Sequence, residues 1–141
     1  MLVRLLYTSR SKDPLTPAAV EALLSQCRSN NPEHGITGVL CFCGNVYMQV
    51  LEGGRAAVNE LYNHITKDTR HTHVTILSYE EVTQRRYGSW TMGRVNLEKV
   101  NPSLLLKYSE KPELDPYAVS GNVSLALVEE LISTAAIAGR E

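Results

Sequence analysis

The stretch NVYMQVLEGG, Asn45 to Gly54, decides how the rest of the chain is read. Side chains of a β-strand alternate between its two faces. Val46, Met48 and Val50 therefore share one face, and Tyr47, Gln49 and Leu51 share the other. Both faces are mostly apolar, which predicts a central strand covered on both sides. The pair Gly53-Gly54 closes it. A glutamine in the middle of such a strand asks for a reason.

Immediately upstream, GITGVLCFCGN (Gly35 to Asn45) reads as a preceding strand that turns at Gly44-Asn45. At the N-terminus, LVRLLYTS (Leu2 to Ser9) is a strand with Val3, Leu5 and Tyr7 on one face. A helix lies between these two strands. Thr16 suits its N-cap and Pro17 its first position. Val20, Leu23, Leu24 and Cys27 recur at amphipathic spacing, and Asn30, Asn31 and Pro32 end it. Downstream, AAVNELYNHITKD (Ala56 to Asp68) is a second helix whose stripe is Val58, Leu61, Tyr62 and Ile65. HVTILSYEEV (His73 to Val82) reads as a fourth strand and RYGSWTMGRV (Arg86 to Val95) as a fifth.

The order is ferredoxin-like with one strand added, βαββαββ, an α+β fold with a five-stranded mixed sheet. Both helices then lie on one face, and the face carrying Val46, Met48 and Val50 needs a cover. The C-terminal third supplies it. Asn101-Pro102 opens a short helix, PSLLLKY, and Pro112 and Pro116 mark a linker. NVSLALVEELISTAAIAG is a last helix with Leu127, Val128, Leu131, Ile132 and Ala135 apolar, widened by Leu125 and Ile137. This divides the chain into a sheet-and-helix unit, residues 1–97, and a helical extension, residues 98–141, packing on the sheet.

The chain has 141 residues, enough for one domain with a real core. Apolar residues make up 43% and charged residues 21%, as expected of a soluble globular fold. A formal net charge of −1 without charge runs argues against a nucleic-acid footprint. No apolar run reaches membrane-spanning length, and the N-terminus starts in a strand rather than a signal-peptide core. Three cysteines, an odd number, do not describe a disulfide framework. Cys41-x-Cys43 has no second ligand cluster to make a metal site. The expectation is a reduced, cytoplasmic protein.

Gln49 and Tyr7 fall on the helix-covered face of neighbouring strands. A buried glutamine has donors and an acceptor that each want a partner, and the Tyr7 hydroxyl is one candidate. The plainer alternative is a glutamine reaching solvent or backbone at a strand end. Asn30 and Asn31 either simply end the helix or aim amides at a polar heterocycle. His64, Asp68 and His71, with Lys67 and Arg70, cluster where the second helix ends. They complement the helix dipole, pair among themselves, or hold a phosphate or ribose tail. Trp90 and Met92, expected on one strand face, are core residues or pocket lining. No phosphate loop, Rossmann fingerprint or G-x-S-x-G motif is present.

Taken together, LLYTS, RSNNPEHGITGVL, YMQVLEGG, DTRH and RRYGSWTM resemble, in order and spacing, the motifs of the BLUF family of blue-light sensors that bind FAD. The resemblance spans roughly the first two-thirds of the chain, and the tail with LLLKYS is similar to short members that lack an attached output domain. It implies that Tyr7 is the electron donor and that Gln49 sits between Tyr7 and the flavin. It implies that Asn31, with Asn30 beside it, bonds the polar ring edge, and that Leu23 and Ile65 sandwich the ring. His64, Asp68, Arg70 and His71 would lie near the ribose and phosphates. Trp90 and Met92 would compete for a place near Gln49 and relay the signal through the fifth strand. Cys27 stands where many members have serine, and Thr91, Tyr47 and Gly54 are further departures.

The function so implied is a non-enzymatic photoreceptor. It would signal through a Tyr–Gln–flavin hydrogen-bond switch to a downstream protein, with no nucleic-acid or membrane partner. The wide stripe of the last helix points to a homo-oligomer. The rivals are a small ferredoxin-like enzyme using His64 or His71, and a ligand-free dimerisation module.

Overall fold

The computed structural model describes residues 1–113 and 115–134. Its strands are β1 (Leu2–Ser11), β2 (Thr37–Cys43), β3 (Val46–Gly54), β4 (His71–Val82) and β5 (Gly93–Asn96). Its helices are α1 (Pro17–Asn30), α2 (Arg55–Lys67), α3 (Pro102–Leu106) and α4 (Gly121–Ser133). The sheet order is β4-β1-β3-β2-β5. All neighbours are antiparallel except β2 and β5. β3 is central, and its register sets Gln49 directly opposite Tyr7 of β1 and Leu40 of β2.

Local chemistry starts and stops these elements as expected. The Thr16 side chain accepts from the Ala19 N–H at 3.1 Å, and Pro17 takes the first turn of α1. Gly44, at φ 59°, makes the β2–β3 turn, a left-handed conformation that glycine adopts without strain. Ser120 caps α4 by accepting from the Val123 N–H.

The sheet separates two apolar cores. Beneath α1 and α2 lie Val3, Leu5, Tyr7, Val20, Leu24, Leu51 and Val58. On the other face Leu6, Met48, Val50, Leu127, Val128 and Leu131 bring α4 onto the sheet. The alternation read from the opening stretch is thus the one observed. Ala135 and Ile137, expected on the stripe of the last helix, fall outside the described residues.

One expectation fails. The segment expected to be a fifth strand from Arg86 to Val95 is strand only from Gly93. Trp90 and Met92 precede it and do not share a face. Trp90 packs in the α4-side core and Met92 in the α1/α2-side core. The reason is a set of polar ties that hold this segment as a loop. The Glu52 carboxylate, fully buried, accepts from the backbone N–H of Arg86 (2.9 Å) and of Tyr87 (2.5 Å). Arg85 donates to the Glu52 and Gly35 carbonyls and to Thr37. The Arg86 and Tyr87 N–H groups are spent on Glu52, and that of Trp90 on the Tyr87 carbonyl, so they are lost to strand pairing.

Candidate functional site

A cavity of about 340 Å³ opens between α1 and α2 above β1 and β3. That volume is in the range of small-molecule sites. The amphipathic stripe of α1 divides its work. Val20 and Leu24 are buried in the core, while Leu23 and Cys27, on the flank of the same stripe, line the cavity. Ile65 of α2 faces it from the opposite wall, and Tyr7 and Gln49 form the floor.

The floor is held by hydrogen bonds. The Tyr7 hydroxyl donates to Gln49 Oε1 at 2.5 Å. Gln49 Nε2 donates to Met92 Sδ at 3.3 Å, with Cys27 Sγ further off at 3.9 Å. Tyr62 meets the Tyr7 ring edge-on at 5.8 Å between centroids. Burial, the largest influence, raises the Tyr7 phenol well above its ordinary value and keeps it protonated. Gln49 is only 3% exposed, so the alternative of a strand-end glutamine reaching solvent does not describe it.

Asn31 is 3% exposed and its side-chain Nδ2 is buried with no hydrogen-bond partner among the described residues. Its backbone is fixed. The N–H donates to the Cys27 carbonyl, and the C=O accepts from Ile36 and His34. A buried donor left unpaired costs about 1–3 kcal/mol, so it calls for a ligand acceptor. Asn30 also lines the cavity.

At the rim, His71 bridges β1 and α2. Its Nε2 lies 2.7 Å from the Ile65 carbonyl and its Nδ1 2.9 Å from Ser9 Oγ. A carbonyl only accepts, so Nε2 carries the proton. The i, i+4 pairing of His64 with Asp68, one of the readings open from sequence, is not the one found. Asp68 pairs with Arg70 at 2.6 Å instead, because the chain turns at Asp68 and brings Arg70 back over it. Arg70 holds the Asp68 carboxyl below the usual carboxylate range. Arg70 also donates to Gln26 on α1 at 3.1 Å, spanning the cavity mouth. His64 lines the cavity beside them. Trp90 is the one expected site residue placed elsewhere, across the sheet.

The sequence reading missed three contributors. Gln26 ties the rim, Arg28 fixes Met92 by donating to its carbonyl at 3.1 Å, and Glu52 holds the loop before it. Glu52 alone carried a signal, as an acidic residue inside an apolar strand. A larger surface groove, about 1470 Å³, runs past α1, β5 and α3. Four of its charges are already paired, Arg94 with Glu21 and Lys107 with Glu130, and among the described residues it has no comparable buried amide floor.

Two helices enclosing an apolar slot over an amide and a phenol define a receptor for a flat, polar-edged heterocycle. The matching family model spans residues 2–93 and is described as BLUF, sensors of blue-light using FAD; the chain belongs to that family. It is 34% identical over 92 residues to the photoactivated adenylate cyclase subunit beta of Euglena gracilis. That match covers 64% of this chain and 11% of the relative, so the chain spans only a small part of that protein. Two solved structures agree over nearly their whole length. The photo-activated state of BlsA gives a TM-score of 0.82 at 27% identity, covering 94% of this chain and 95% of that one. BlrB, a BLUF protein in its dark state, gives 0.78 at 30%, covering 95% and 96%.

The residues present fit FAD. Leu23 and Ile65 supply apolar walls for a ring, Gln49 and Asn31 supply amides for its polar edge, and the His64-to-His71 rim supplies polar groups for a tail. Among the described residues no helix is long and apolar enough to cross a membrane.

Proposed function

We propose that this chain is a blue-light switch whose moving part is the Gln49 amide. The observation that carries the reading is the Tyr7 Oη–Gln49 Oε1 hydrogen bond of 2.5 Å, buried at the floor of the cavity. When bound, FAD supplies absorption of blue light and an excited ring able to take up an electron. Tyr7 is the donor of that electron. Its hydroxyl proton has one acceptor in reach among the described residues, Gln49 Oε1. Rotation or tautomerisation of the Gln49 amide then exchanges its donor and acceptor ends. The electron and proton return to Tyr7, so the net change is in hydrogen bonding alone. The bond that Gln49 offers into the cavity is then a different one.

Asn31 holds the polar ring edge, with Asn30 beside it, and Leu23, Cys27 and Ile65 pack on the ring. His64, Asp68, Arg70 and His71 meet the ribose and phosphates; Arg70 turns from Asp68 to do so. Residues 1–97 are the sensing unit. Residues 98–141, whose described helix α4 packs on the far face of the sheet, read out the change for a downstream protein or a second copy of the chain. Met92 is the first relay, since it touches Gln49 directly and leads into β5. Signalling through contacts, without catalysis by the chain itself, follows from this reading.

The test is a visible spectrum of the purified, FAD-reconstituted protein before and after blue light. A small, reversible red shift is the expected result. Failure to retain FAD, or an unshifted spectrum, would refute the reading.

A further inference from the structure

We propose that Cys27 is the residue that holds Gln49 in its reversed orientation. Its thiol accepts from Gln49 Nε2 at rest and donates to Gln49 Oε1 after reversal. The proposal rests on the switch reading of Gln49.

Three side chains among the described residues meet the Gln49 amide: Tyr7 at one end, and Met92 Sδ and Cys27 Sγ at the other. At rest Nε2 points at the two sulfurs, nearer to Met92 (3.3 Å) than to Cys27 (3.9 Å). Reversal by rotation, the form of the switch this role requires, puts the carbonyl oxygen where Nε2 was. The two sulfurs then differ in kind. A thioether has lone pairs and no hydrogen, so Met92 can accept but cannot donate. A thiol does both, weakly. Met92 therefore favours the resting orientation, and Cys27 serves either one. Without Cys27 the reversed carbonyl, in a floor almost closed to solvent, faces a thioether alone. The indole of Trp90, which could donate in its place, packs on the other side of the sheet.

For this role the thiol must keep its proton. Burial is the largest influence on it and raises it above the ordinary thiol value, while Gln49, Arg28 and Arg70 oppose that rise. Cys27 thus stands as S–H at neutral pH. The other two cysteines, Cys41 and Cys43, pack on the α4 side of the sheet, away from the amide.

The experiment is an infrared light-minus-dark difference spectrum of the FAD-loaded protein in the S–H stretching region, where few other protein groups absorb. Light should move one S–H band to lower frequency, as Sγ–H gains a carbonyl acceptor. Cys27→Ala should abolish that signal and still form the red-shifted state. It should return to the dark state about two- to fivefold faster, the worth of a weak hydrogen bond. Cys27→Ser, which keeps a donor, should return more slowly than Cys27→Ala. A normal red shift with no change in any S–H band would overturn the role of Cys27 and leave the Gln49 switch standing. Unchanged recovery in Cys27→Ala would do the same. A wild-type protein with FAD bound and no red shift would remove both.

Discussion

The Tyr7 hydroxyl is held by Gln49, its one partner among the described residues, in a place where burial keeps it protonated. Tyr7→Phe preserves the ring packed against Tyr62 and removes only the hydroxyl that the proposed switch uses. FAD should remain bound, checked by its release on denaturation, and the red shift should disappear. A second consequence concerns alkali. Tyr7 and Tyr87 are both raised above the ordinary phenol value, chiefly by burial. In the unfolded chain each ionises near pH ~10. Their contribution to stability is therefore complete below about pH 10 and is lost as pH climbs towards the folded-state values. The melting temperature should fall as pH is raised past about 10, and Tyr7→Phe should make that fall shallower. An equal slope in the variant would show that Tyr7 does not titrate differently in the two states.

At the scale of elements, the loop between β4 and β5 decides which side chain reaches Gln49. Arg4 and Glu52 face each other across β1 and β3, both buried, at 2.8 Å. Glu80, opposite Arg4 on β4, extends the row, and the Arg4 guanidinium lies 5.7 Å from the centre of the Tyr87 ring. Glu52→Ala would leave Arg4 without its buried partner and free the Arg86 and Tyr87 amides. Breaking a buried pair from one side costs about 3–5 kcal/mol. Urea unfolding of Glu52→Ala should show a loss of that order, and Glu52→Gln, which keeps an acceptor for the amides, a smaller one. The same cluster explains where sequence reading ran out. The alternation around Gln49 and the 3.6-residue stripe of α1 were legible, because each encodes its own burial. Those patterns put Gln49 on the helix-covered face and Leu23 and Ile65 on the apolar stripes; the place of Leu23, Ile65 and Asn31 beside a flavin came from the family resemblance. The segment from Arg86 to Met92 was not legible in this way. Its residues favour a strand, but the backbone donors of Arg86 and Tyr87 at its start are captured by a carboxylate more than thirty positions away. No local pattern records that capture, and it is what sends Trp90 and Met92 to opposite cores.

Across the whole molecule, the sheet is a partition with the cavity on one face and α4 on the other. Its two sides meet in β3, where Gln49 alternates with Met48 and Val50. α4 comes so close to β4 that a Cβ on Gly121 would lie 1.8 Å from the Leu77 carbonyl oxygen. Gly121→Ala should push the start of α4 off the sheet and cost about 1–3 kcal/mol, as overpacked positions do. FAD binding, on the far face, should survive, so a lowered melting temperature with full flavin content is the expected result. The central claim, however, is that Gln49 is there for the cofactor and not for the fold. Gln49→Leu tests it most directly, because leucine has similar volume and no amide. The measurement is the light-minus-dark difference spectrum of the FAD-loaded variant, run beside a thermal melt. The account predicts bound FAD, a melting temperature lowered only modestly by the Tyr7 hydroxyl left unpaired, and no long-lived red-shifted state. A normal red shift, or a large fall in melting temperature with the photochemistry intact, would contradict it.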